Sequence, residues 1–169
     1  MVIPKTIHYC WFGGKIPVDV KERIENWHNV LQEYEFILWS EDNFDINYCM
    51  YARDAYESKK YAFVSDVARL YALNKFGGIY LDTDVDVMRV FDELLLEEGF
   101  AGFECSGRVG TCVLGARRGN TIINDFLMEY ENKRFVREDG TLDMTPNTLF
   151  FYKVFSGGRF KSRKCKAKT

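Results

Sequence analysis

Apolar residues recur along this chain first with the period of a strand and then with that of a helix. Thr6-Ile7-His8-Tyr9-Cys10-Trp11 is a short apolar and aromatic run that stops at Gly13-Gly14, as a buried strand entering a glycine turn would. Val20, Ile24, Trp27 and Leu31 then fall on one helical face, with Lys21, Glu22, Glu25 and Asn26 between them and Asp19 as the N-cap or first-turn acid. Glu35 to Trp39 reads as a second strand, so the opening third has the strand, helix, strand order of a parallel α/β sheet. Tyr61 to Phe76 carries apolar residues at almost every angular position, which predicts a largely buried helix. Gly77-Gly78 ends it, because glycine accepts positive φ at a helix C-terminus, and a strand over Ile79 to Leu81 follows at once. Beyond it the pattern predicts a helical turn over Phe91 to Leu96, strands over Phe100 to Glu104 and Thr111 to Leu114, and helices over Thr121 to Tyr130 and Thr145 to Phe155.

A length of 169 residues suits one domain with a real core, and an apolar share of 47% excludes disorder over most of it. Residues 1–158 read as that domain. From Arg159 onward the chain is a basic tail, expected to be a disordered, solvated end, with a peripheral contact to anionic membrane as the other reading of its Lys/Arg cluster. The net charge of −2 provides no bulk attraction to nucleic acid. No apolar run approaches the ~20 residues of a membrane-spanning helix, and Met1 to Trp11 lacks the pattern of a secretory signal. A cytoplasmic location is expected, extending to the inner face of the membrane if the tail touches lipid. Cys10, Cys49, Cys105, Cys112 and Cys165 are odd in number and scattered, matching neither a disulfide framework nor a zinc pattern, and read as reduced, mostly buried thiols. His8 and His28 are too far apart for a metal motif and read as structural.

The chemistry concentrates in Gly77-Gly78-Ile79-Tyr80-Leu81-Asp82-Thr83-Asp84-Val85-Asp86-Val87. In an extended backbone Asp82, Asp84 and Asp86 would share one face. Clustered carboxylates repel one another unless a cation sits among them, and oxygen ligands suit Mg2+ or Mn2+. A metal-diphosphate site at a strand end is the simplest functional reading; a polar strand end or turn is the structural one. An EF-hand fits at loop positions one, three, five and twelve (Asp82, Asp84, Asp86, Glu93) but fails at position six, where Val87 replaces the required glycine. A haloacid-dehalogenase-like phosphatase also uses Asp-x-Asp after a strand, with the first Asp as nucleophile, but its motif opens the domain. On the preceding helix, Asp66 and Arg69 are either an i,i+3 ion pair or contacts to a polar ligand. Trp11 is either core or a stacking surface for a base.

Three blocks in order resemble a known family: Ile3-Pro4-Lys5-Thr6-Ile7-His8-Tyr9-Cys10-Trp11-Phe12-Gly13-Gly14, then Ser65-Asp66-Val67-Ala68-Arg69, then Gly77 to Asp86. Together they are similar to the glycosyltransferases with the DXD sugar-binding region, a group that includes capsular-polysaccharide transferases, yeast initiating mannosyltransferases and, more distantly, glucosylating clostridial toxins. The resemblance implies a GT-A, Rossmann-like α/β fold and a retaining transfer of sugar from a nucleotide-diphosphate donor, UDP- or GDP-linked, to a saccharide or lipid-linked saccharide acceptor, with Mn2+ or Mg2+ as cofactor and surface-polysaccharide synthesis as the setting. It also implies that Trp11 stacks on the base, that Asp66, Arg69, Tyr80 and Asp82 bind the donor, and that Asp84 holds the metal, with Asp86 as a further candidate. Family members usually carry a C-terminal segment that closes over the diphosphate; the chain ends before it, so a truncated fragment or a non-catalytic nucleotide-sugar-binding relic is the competing expectation.

Overall fold

Two apolar layers, one on each face of a mixed five-stranded sheet, organise the computed structural model, which describes residues 2–103 and 109–151. In chain order the elements are β1 (Thr6–Cys10), α1 (Val18–Val30), β2 (Glu35–Trp39), α2 (Met50–Glu57), α3 (Tyr61–Phe76), β3 (Gly78–Leu81), a 3-10 turn (Asp92–Leu94), β4 (Gly99–Phe103), β5 (Val109–Ala116) and α4 (Thr121–Glu131). The strands lie in the order β2-β1-β3-β5-β4. β1 pairs in parallel with β2 and β3, as the opening strand-helix-strand pattern predicts, whereas β5 runs antiparallel to β3 and β4.

Strand alternation sorts the side chains between the layers. Ile7, Ile79 and Leu81 meet Val20, Ile24, Trp27 and Leu31 on the α1 side. Cys10 and Tyr80 point the other way, into a larger core built with α2, α3 and α4 around Tyr51, Val67, Leu70 and Phe126. α3 packs across β1, β3 and β5, which is why it reads as apolar nearly all round.

The turn from α3 into β3 is fixed by sterics. Gly78 has φ +110°, and a Cβ there would lie 2.6 Å from the Thr6 carbonyl oxygen, so the close approach of β3 to β1 requires glycine. His8 secures the same junction: it is fully buried, donates from Nε2 to the Gly77 carbonyl (2.8 Å) and accepts at Nδ1 from the Trp39 indole (3.1 Å). That arrangement requires the neutral ring, and burial lowers its pKa.

The structure departs from the expected elements in three places. α2 lies in a stretch for which the apolar pattern predicts no element. The last predicted helix begins at residue 147 rather than Thr145, and its part beyond residue 151 falls outside the described residues, as do Cys105, Cys165 and the basic tail. The extended run through Asp82, Asp84 and Asp86 is not formed. Asp82 donates its N–H to the Cys112 carbonyl, one step past β3, and the chain then turns, closed by the Val85 N–H on the Asp82 carbonyl (3.1 Å). Among the described residues no helix is long and apolar enough to cross a membrane.

Candidate functional site

A cleft of about 880 Å³ opens where the C-terminal ends of β1 and β3 meet the N-terminal half of α3, the position at which open α/β sheets bind ligands. Trp11, Tyr61, Asp66, Arg69, Tyr80, Asp82, Asp84 and Asn147 are among its lining residues. Parity explains the grouping: Tyr80 and Asp82 project from β3 to the α3 side, and the i,i+3 spacing of Asp66 and Arg69 turns both toward them.

These four residues form one network. Arg69 Nη2 lies 3.0 Å from Asp66 Oδ1 and 3.2 Å from Asp82 Oδ1. Its other nitrogens donate to the carbonyls of Ser65 (3.2 Å) and Thr111 (3.0 Å), and its guanidinium sits 4.5 Å from the centre of the Tyr80 ring. The Tyr80 hydroxyl donates to Asp82 Oδ1 (2.9 Å). Burial pushes the Asp66 carboxyl up to about 6, against the opposing pull of Arg69, while Asp82 adds repulsion. Burial works against the Arg69 charge, but Tyr80, Asp66 and Asp82 outweigh it and hold the guanidinium firmly protonated. The Asp66–Arg69 pair is therefore not a solvated surface bridge; both side chains are buried at the cleft wall.

The three aspartates of the acidic segment end in different surroundings. Asp82 has Oδ1 shared by Tyr80 and Arg69. Asp84 is exposed at the cleft wall and makes no ion pair among the described residues. Asp86, the further metal candidate, does not line the cleft; its Oδ1 accepts from Arg23 Nε (3.0 Å) on α1. The turn after Asp82 breaks the alternation that would have kept the three together.

Just past β1, Trp11 is half-buried on the cleft wall, with its backbone N–H held by the Trp39 carbonyl (2.9 Å). Gly13 beside it has φ +84°, and a Cβ would fall 2.0 Å from the Tyr61 ring, so the turn packs directly on a cleft residue. Glu41 pins it by accepting from the Gly13 N–H (2.7 Å) and the Tyr56 hydroxyl (3.1 Å). Sequence reasoning misses Asn147, which donates Nδ2 to Asp66 Oδ1 (2.5 Å) and accepts from the Thr111 hydroxyl (2.8 Å). The one local sign is Pro146 before it, a residue that favours the first turn of a helix.

A hard divalent cation fits this donor set in a limited sense. Among the described residues no group of three or more His, Cys, Asp and Glu side chains could hold a metal by itself. Asp84, with its oxygens exposed, can supply one or two ligands, the usual protein share for Mg2+ when substrate phosphates complete the shell.

Known proteins resemble this chain in sequence and in fold. Inositol phosphoceramide mannosyltransferase 3 of Schizosaccharomyces pombe is 29% identical over 125 residues, covering 72% of this chain and 35% of the relative. A mannosyl phosphorylinositol ceramide synthase of Saccharomyces cerevisiae is 30% identical over 103 residues, 59% of this chain and 27% of its own length. The chain thus spans about a third or less of these curated relatives. Among solved structures, PaToxG glycosyltransferase superposes with a TM-score of 0.61 at 19% identity, covering 92% of this chain and 73% of that one. A second transferase gives 0.60 at 11% identity over 96% and 90% of the two chains. Likeness at such identities speaks for the fold, which is GT-A-like. Residues 17–101, half of the chain, match the family described as glycosyltransferase sugar-binding region containing DXD motif, with Asp82-Thr83-Asp84 inside the match, and the chain belongs to that family.

Proposed function

We propose that this chain binds a nucleotide-diphosphate sugar in the cleft, with a divalent metal at Asp84, and transfers the sugar with retention to a saccharide or lipid-linked acceptor. One observation carries the reading: of the three acidic side chains after β3, two have arginine partners and Asp84, at the cleft, has none among the described residues. An uncompensated carboxylate beside a cleft is where a cation-bound diphosphate gains most. The remaining roles follow from position. Trp11 offers a flat face for the base, a contact worth ~1–3 kcal/mol by analogy with stacking platforms. Asp66, Arg69, Tyr80 and Asp82 present a rigid, charged wall to the hydroxyls of sugar and ribose. A bound Mn2+ or Mg2+ would offset the charge that grows on the nucleoside-diphosphate leaving group. The names of the two yeast relatives both join a mannosyl group to an inositol-phosphate ceramide, which favours a lipid-linked acceptor here, a class that also includes surface-polysaccharide precursors.

Isothermal titration with UDP and with GDP, each with and without Mn2+, tests the reading. Asp84→Ala should abolish the metal-dependent part of binding while changing stability by under ~0.5 kcal/mol, because the side chain is exposed. Metal-dependent binding equal to the parent's would mean that Asp84 is not the ligand. Hydrolysis of a donor panel in the same samples separates a catalyst from a protein that only binds.

A further inference from the structure

α1 lies across the sheet from α3, yet two of its side chains reach the acidic turn and hold it on both sides of Asp84. Arg23 Nη1 donates to the Thr83 carbonyl (3.2 Å), the peptide group that links Thr83 to Asp84. The indole N–H of Trp27, fully buried, donates to the Val85 carbonyl (2.8 Å). Arg23 Nε also meets Asp86 Oδ1 at 3.0 Å, so one guanidinium spans the turn from residue 83 to residue 86. Farther on, Tyr34 donates to Asp92 and accepts from the Phe91 N–H, and Lys5 Nζ lies 3.2 Å from Asp92.

We propose that Arg23 is a positioning residue for the metal-diphosphate site, with Asp86 as its anchor: together with Trp27 it fixes the peptide groups around Asp84 and so aims that carboxylate into the cleft. The proposal rests on the donor-binding reading given above and gives Asp86 a role away from the cation. The pair's own attraction is weak, because the Asp86 side chain is 76% exposed. Its effect is geometric. The turn carries one internal hydrogen bond, Val85 N–H to the Asp82 carbonyl, and without Arg23 the Thr83 peptide is free to rotate and swing the carboxylate away from the diphosphate. Partners of this kind, which orient a ligand without touching the metal, typically alter metal affinity by 10-fold or more.

The test compares the parent with Arg23→Ala, Arg23→Lys, Asp86→Asn and the charge-swapped pair Arg23→Glu with Asp86→Arg, by two measurements. Hydrogen exchange on the ligand-free chain reports protection of the peptide spanning the turn. Titration with UDP and with GDP, in Mn2+ and in EDTA, separates metal-dependent from metal-independent affinity. Arg23→Ala should speed exchange in the turn and leave α3 and α4 unchanged, and it should weaken metal-dependent affinity about 10-fold with the EDTA value unmoved. Asp86→Asn should act in the same direction, Arg23→Lys should recover part of the loss, and the swapped pair, whose glutamate cannot donate to the Thr83 carbonyl, should not. Unchanged turn protection, or full metal-dependent affinity in Arg23→Ala, overturns the proposal; equal losses in Mn2+ and EDTA also overturn it, since they mark general loosening. A parent that binds neither nucleotide in Mn2+ removes the donor-binding reading and the positioning role with it, and exchange alone then decides whether Arg23 holds the turn.

Discussion

At the scale of single residues, the cleft concentrates opposing charges in a place that water barely reaches, and Asp66 shows which effect wins. Its carboxyl is drawn toward ionisation by Arg69 and away from it by burial, and burial prevails, raising the group from 3.8 to about 6. A carboxyl whose folded pKa is raised contributes stability that is complete below its unfolded value and is lost as pH climbs through the folded one. The stability of the parent minus that of Asp66→Asn should therefore fall between pH 4 and pH 6 and stay level above that window. Urea melts of both proteins across the range measure the difference, in which the other titrating groups cancel. A gap that widens with pH would mean that the Arg69 charge dominates. The same environment bears on function: if the site needs an ionised Asp66 to accept a sugar hydroxyl, donor affinity should weaken below pH 6 in the parent.

Elements were legible wherever local chemistry dictated them. The double glycine, the continuous apolar helix before it and the aromatic strand after it set the α3–β3 boundary, since few residues other than glycine fit there. Gly78→Ala is the direct check: a Cβ at φ +110°, 2.6 Å from the Thr6 carbonyl oxygen, combines a backbone penalty of about 1–2 kcal/mol with overpacking of about 1–3 kcal/mol, so chemical denaturation should show a loss of about 2–5 kcal/mol. A loss below 1 kcal/mol would mean that β3 can move away from β1 at little cost. What sequence could not supply depends on distant partners. α2 is eight residues long, and its buried Asp54 is satisfied by Arg134 (2.8 Å) and the Val136 N–H, about 80 positions along the chain. Asn147 joins the cleft through Asp66 and Thr111, 81 and 36 residues away. The acidic segment was legible as chemistry but not as geometry, because its turn is set by contacts from α1 that no local period encodes.

At the scale of the whole molecule, metal and nucleotide should act as one ligand, and thermal stability can register this before any acceptor is known. The described residues contain no cluster able to hold a cation unaided, so Mn2+ alone should move the melting temperature little. A nucleoside diphosphate alone meets an uncompensated carboxylate at Asp84 and should also bind weakly. Together each removes the other's obstacle, since the phosphates complete the cation's oxygen shell and the cation cancels the repulsion between phosphate and carboxylate. At 100 times its dissociation constant a ligand specific for the folded state adds ~2.7 kcal/mol. For a domain of this size each kcal/mol raises the midpoint by ~2–4 °C, so Mn2+ with the preferred nucleotide should add ~5–10 °C. Differential scanning with Mn2+, with UDP or GDP, and with both measures the coupling. Asp84→Ala should lose the joint increment and keep whatever shift the nucleotide gives in EDTA, because the Trp11 wall is untouched. Shifts that merely add, or a full shift in EDTA, would mean that the nucleotide is held without the cation, and the role given to the acidic turn would have to be abandoned.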